Sequence, residues 1–303
     1  MSAGPIRTLC LGDALVDLVG ERRGRPLVEI DRFSPHFGGV AANVALVAAR
    51  AGAAVALAGG AGDDVWGRWL LSRLRDAGVD VSLFELLPGL QTPIAFVTVS
   101  AEGEPGYQLH GEADRTLGAV LRGKVQAAVD NSAALMFSTN VLVDAGDRGV
   151  TMAARRRALH LGRPVIFEAN LRLHRWESTA VAAANANACV EGALLVRANR
   201  AEAAAMTGEA DPEHAAAALL AAGARLVVVS LGADGAILRG EVHGDAAGER
   251  TTVINTAGAG DVLTGTLLAA LALDGFAPRA VAGALTDAVA AAARACERWG
   301  AVD

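Results

Sequence analysis

The stretch "NTAGAGDVLTGTLLAAL", residues 255–271, sets one carboxylate, Asp261, between a small-residue turn and an apolar run. Gly258, Ala259 and Gly260 carry no bulky side chain, so a ligand can come close to their backbone. If a helix starts there, its first N–H groups have no intrahelical acceptor and point at an anion. An acid just beyond can take a proton from a hydroxyl held near that anion. Hydroxyl, base and cradle are together what phosphoryl transfer requires. The same residues also suit an ordinary helix start whose acid is favoured by the helix dipole, and the segment alone leaves both open.

Such groups need a frame. Short apolar runs alternate with Ala-rich helical runs along the chain. The pattern predicts a first strand over 6–12, a helix over 38–52, a strand over 53–60, and a helix over 64–78 with Trp66, Leu70 and Leu74 at helical spacing. Further apolar runs, "AALMFS", "RPVIFEAN", "EGALLVRAN" and "RLVVVSLG", each end in a polar or glycine turn. Two last helices are expected over 258–274 and 278–299. The alternation predicts an α/β fold with a mostly parallel sheet flanked by helices on both faces. Ligands bind outside the carboxyl ends of such strands. That singles out the polar residues there: Asp13, Glu168, Asn170, Asn199 and Ser230.

Two segments break the rhythm. Residues 17–39 and 91–111 read as hairpins, the second around an "AEGEPG" turn. They could pair into a small sheet that covers a site and excludes water, or remain surface hairpins.

Composition narrows the function. Net charge is −6, against a nucleic-acid binder that relies on a broad basic surface. Apolar residues make up 52%, yet charges interrupt nearly every run, so no membrane span is expected. The N-terminus lacks a basic and then a long apolar region, which predicts no signal peptide and a cytoplasmic protein. Lys124 is the one lysine, and "LRGKVQ" is neither a P-loop nor a kinase strand lysine. Cys10, Cys189 and Cys296 form no C-x-x-C pair and read as buried thiols. His110 and His174, and Trp66, Trp69, Trp176 and Trp299, read as surface or packing residues.

"TAGAGDVLTGTLLAAL" resembles the C-terminal signature of the ribokinase-like (PfkB) carbohydrate kinases. Residues 38–82 resemble the family's N-terminal block, with a Gly-Gly pair, an Asn and a G-x-D-x-x-G turn. The likeness runs over almost the whole chain to "CERWGA", and "TPIAFVTVSAEGE", "EADRTL" and "EANLRLHRW" have a fructokinase-like flavour.

The resemblance implies one ribokinase-like domain over 1–303, with a β-sheet lid from insertions at about 17–37 and 89–112. It implies a small sugar and ATP as partners, Mg2+ as cofactor, K+ as a further candidate, and a homodimer through the lid. Asp261 becomes the base, and the N–H groups of Gly258, Ala259 and Gly260 the anion hole. Asp13, Asp17, Gly38, Gly39, Asn43 and Arg172 match substrate contacts. Asn199, Glu202, Ser230, Gly232 and Val289 fall on the nucleotide side, with Glu202 reaching metal through water.

There are departures. Asn255 and Ala257 stand where Asp and often Thr are usual, which removes a charge near a loop that often holds a monovalent cation. "EAN" replaces Asp-Pro-Asn, Gly111 replaces a lid arginine, and Val289 replaces an Asn near the adenine pocket. Fructose is the leading substrate, with ribose, ketodeoxygluconate and nucleosides as alternatives. A non-catalytic sugar- or nucleotide-binding relative is a further reading. A Rossmann dehydrogenase is disfavoured because only Gly12 follows the first strand where G-x-G-x-x-G is needed.

Overall fold

The computed structural model describes residues 7–111, 116–300 and 302. Ile6 of the first expected strand, the first four residues of "EADRTL" (the distal end of the second insertion) and Ala301 lie outside them. The strands in chain order are β1 (Arg7–Leu11), β2 (Leu15–Gly20), β3 (Phe33–Gly38), β4 (Val55–Gly62), β5 (Asp80–Leu87), β6 (Ile94–Val99) and β7 (Pro105–His110). They continue with β8 (Ser132–Ser138), β9 (Val165–Glu168), β10 (Leu195–Asn199), β11 (Leu226–Ser230), β12 (Ala236–Gly240) and β13 (Gly244–Ala246). The α-helices are α1 (Val40–Arg50), α2 (Val65–Asp76), α3 (Thr116–Leu121), α4 (Val125–Asp130) and α5 (Ala145–His160). After them come α6 (Thr179–Asn187), α7 (Arg200–Thr207), α8 (Pro212–Ala221), α9 (Ala259–Leu273) and α10 (Arg279–Ala295).

Nine strands form one sheet in the order β13-β12-β11-β10-β9-β8-β1-β4-β5. From β11 to β5 all neighbours are parallel, because helices return the chain between them; β12 and β13 add an antiparallel edge. Central strands are buried on both faces, and their residues alternate between two cores. Leu9, Leu11, Phe137 and Phe167 pack with Leu117, Val129, Ala154 and Leu219 of α3, α4, α5 and α8. Cys10, Met136, Ile166, Leu195 and Val228 pack with Leu46, Leu70, Leu267 and Leu285 of α1, α2, α9 and α10. This is a ribokinase-like α/β arrangement.

The two hairpins do pair. The small sheet runs β3-β2-β6-β7, with antiparallel hairpins β2–β3 and β6–β7 joined by the parallel pair β2–β6. Leu15, Val19, Ala95, Val97 and Val99 form its core, with Tyr107 and Trp299 against it.

Element ends differ from expectation in places. The last helix stops at Ala295 rather than at 299. The Cys296 carbonyl beyond it accepts the N–H groups of Ile254 and Asn255 at 2.7 and 3.1 Å, so this segment is bound to the loop before α9 instead of continuing the helix. α1 begins at Val40, because Gly39 at φ 100° lies outside helical space. β5 and the β12–β13 hairpin were not expected; both are short or lack clean alternation.

Candidate active site

The parallel strands all present their carboxyl ends on one edge. β1 ends just before Asp13, β9 at Glu168, β10 at Asn199 and β11 at Ser230. The small sheet covers the β1 end of that edge. A cavity between the two sheets is lined by Asp13, Asp17, Gly39, Asn43, Arg172, Gly258 and Asp261, all expected from the sequence.

Asp261 lies in the first turn of α9 and is 8% exposed. Asn43, in the first turn of α1, donates from Nδ2 to Asp261 Oδ2 at 2.7 Å. The two helices can approach because Gly39 brings the chain back beside β1: a Cβ there would stand 2.4 Å from the Asp13 carbonyl oxygen. Burial pushes the Asp261 carboxyl up to about 6, and the Asp13 charge adds to this. The Asn43 hydrogen bond and the Arg172 and Arg197 guanidinium groups pull the other way. The result is a carboxyl poised near neutrality, as a general base should be. Asn43 Oδ1 is buried without a protein partner, and a hydroxyl donor in the cavity would satisfy it.

The α9 N-terminus has the shape of an anion cradle. Gly258 caps it in the left-handed region at φ 73°, and Val262 N–H is the donor to its carbonyl. Ala259 N–H turns back to the Thr256 carbonyl at 3.3 Å, which weakens its share in the expected anion hole. Gly38 and Gly260 stand behind the cavity wall rather than on it: a Cβ at Gly38 would meet the Asp17 carboxyl at 2.7 Å.

Of the residues expected on the nucleotide side, Asn199, Glu202, Ser230 and Gly232 lie farther along the edge, outside the cavity. From β1 to β10 is three strand steps, roughly 14 Å. Asn199 and Glu202 form a reciprocal capping box on α7: Glu202 N–H donates to Asn199 Oδ1, and Asn199 N–H to Glu202 Oε2, both at 2.8 Å. Ser230 Oγ accepts from Arg197 Nη2 at 2.8 Å, and Gly232 opens a short turn at φ 64°. Val289 is 6% exposed and packs in the core between α9 and α10. Among the described residues no group of three or more His, Cys, Asp or Glu converges on a metal position.

Several residues were missed or misassigned from the sequence. Tyr107 of β7 reaches the cavity, and the Arg172 guanidinium lies 5.1 Å from its ring centroid. Burial raises the Tyr107 hydroxyl. Trp299 packs against the small-sheet core as expected and also borders the cavity, and His174, His36, Asn140 and Arg175 line it as well. Trp66 and Trp69 are packing residues, edge to face at 6.0 Å. Glu168 faces no ligand space: it is 1% exposed and paired with Arg197 at 2.6 Å. No sequence signal marks Tyr107 or Arg197, since each sits at a position that only strand pairing defines.

Known proteins resemble this arrangement throughout. The chain is 28% identical over 276 residues to fructokinase-1 of Zea mays, covering 90% of this chain and 85% of that one. It is 33% identical over 270 residues to the aminoimidazole riboside kinase of Salmonella typhimurium, covering 85% and 78%. A fructokinase double mutant of Vibrio cholerae O395, solved in a fructose-, ADP- and potassium-bound form, superposes with a TM-score of 0.81 at 25% identity, covering 98% and 94%. Residues 6–303 match the pfkB family of carbohydrate kinases, and the chain belongs to that family.

Proposed function

We propose that this carbohydrate kinase transfers the γ-phosphoryl group of ATP to a hydroxyl of a small sugar, with fructose the leading acceptor. The observation that carries the reading is Asp261: a buried carboxylate in the first turn of α9, bonded to Asn43 and facing the cavity between the two sheets. Asp13, Asp17 and Asn43 supply acceptors and a donor for sugar hydroxyls. One hydroxyl lies against Asp261 and gives up its proton as its oxygen bonds to the γ-phosphorus; the bond from that phosphorus to ADP breaks. The N–H groups at the start of α9 and the Arg172 fork face the charge that develops on the phosphoryl oxygens. Mg2+, when bound, would neutralise phosphate charge, and Glu202 would hold it through water. The small sheet acts as the lid over this single domain, keeping water from the phosphoryl group.

A riboside is the second acceptor reading. Tyr107, Leu109 and Trp299 give the cavity lining an apolar and aromatic share, which suits a planar base better than a bare sugar. Half-exposed Leu109 on edge strand β7 supports a homodimer through the lid. No described helix is long and apolar enough to cross a membrane.

The test is ADP release from Mg-ATP with fructose, ribose, ketodeoxygluconate, nucleosides and aminoimidazole riboside, with Asp261→Asn alongside. Turnover with one acceptor, lost in the variant, supports the reading. Folded protein that binds ATP but turns over none of them favours the binding-only alternative.

A further inference from the structure

Beneath the cradle lies a buried ion pair that touches neither the cavity nor Asp261 by hydrogen bond. Strand alternation sends Ile166, Leu195 and Val228 toward α9 and α10. It sends Glu168, Arg197 and Ser230 the same way, at the carboxyl ends of three neighbouring strands. Arg197 Nη1 donates to Glu168 Oε1 at 2.6 Å, and Nη2 to Ser230 Oγ at 2.8 Å. Thr264 Oγ1, on α9, donates to Glu168 Oε2 at 2.5 Å. A Cβ at Gly260 would stand 2.7 Å from Nη1 and 3.0 Å from Nη2. The first turn of α9 thus rests directly on the guanidinium, one residue from Asp261.

This is a costly place for a cation. A positive group under a helix N-terminus adds to the dipole's positive end instead of offsetting it. A buried pair kept only for packing is replaceable by apolar residues at little loss. A cation here becomes favourable when an anion occupies the cradle above it.

We propose that Arg197 is a positioning residue for phosphoryl transfer: clamped by Glu168 and Ser230, it seats the first turn of α9 and lends the cradle and Asp261 a buried positive charge. The proposal rests on the kinase reading of Asp261. The groups facing that carboxyl are Asn43 from α1, Asp13 after β1, Arg172 after β9 and Arg197 from β10; Arg197 is among those that favour its ionised form.

The experiment compares Arg197→Lys with the double variant Glu168→Gln/Arg197→Gln, which leaves no unpaired buried charge and so keeps the fold. Calorimetry with a non-hydrolysable ATP analogue reads the cradle without turnover. The pH profile of kcat reads Asp261. The double variant should bind the analogue about tenfold more weakly. The acid limb of its kcat should move up by about half to one pH unit. Arg197→Lys should recover most of both. A folded double variant with wild-type affinity and an unmoved acid limb overturns the proposal. Wild-type protein that turns over no acceptor, yet binds the analogue in an Arg197-dependent way, overturns the kinase reading and leaves the cradle role standing.

Discussion

Replacing Asp261 by Asn should stabilise the protein at neutral pH while removing its activity. The folded carboxyl is raised from 3.8 to about 6, mainly by burial. Below the lower value it is protonated in both states, and burial carries no charge penalty. Between the two, the unfolded chain has released the proton and the folded protein has not, so stability falls as pH rises. Above about 6 the full penalty is present, about 3 kcal/mol at 1.36 kcal/mol per pH unit. At 8% exposure little solvent screening reduces this. Asn has the same size and can still accept from Asn43 Nδ2, but carries no charge to bury. Urea unfolding of both proteins without ligand, from about pH 4.5 to about pH 8, should show the variant gaining on the wild type by about 2 kcal/mol. Its kcat should fall by about 10²- to 10⁴-fold. Parallel stability curves across that range would refute the claim that an ionised, buried carboxylate is held here at a cost.

The remaining expectations concern the loop before α9 and its first turn. Asn255 is 1% exposed; its Nδ2 donates to the Trp299 carbonyl at 2.7 Å and its Oδ1 accepts from Ala257 N–H at 3.0 Å. A carboxylate there would set an oxygen against that carbonyl, a repulsion that a cation relieves. Residues arranged this way do not call for K+, so wild-type turnover should be equal in potassium and tetramethylammonium buffers. Asn255→Asp should become potassium-stimulated and lose about 1–3 kcal/mol without the ion, read by denaturant melts. Gly260→Ala should cost about 1–3 kcal/mol and most of kcat, because Arg197 is pinned at both ends and cannot yield to the new methyl group; wild-type stability in that variant would show the contact to be slack.

Much of the frame was legible because periodicity reports burial directly. "RLVVVSLG" and "EGALLVRAN" are apolar on both faces, which only a central parallel strand explains. β5 was less legible: its half-buried edge position leaves no clean alternation to read. The last helix was overextended because local helical propensity says nothing of the Cys296 carbonyl's bonds to Ile254 and Asn255. Glu202 shows the opposite limit, since its spacing from Asn199 fits both a metal-organising acid and the capping box observed.

By itself the sequence determined the alternation of strands and helices, the small-residue turn before Asp261 and the polar residues at strand ends. These are properties of neighbours in the chain, where residue type and period act locally. Only the tertiary structure decided that Asn43 bonds to Asp261 across 218 positions, that Tyr107 lies over Arg172, and that Arg197 sits under Gly260. Each depends on strand register and on how α1, α9 and the small sheet pack together. Long-range contacts of that kind leave no periodic trace in a single chain, and they set the charge state and access of the carboxylate proposed as the base.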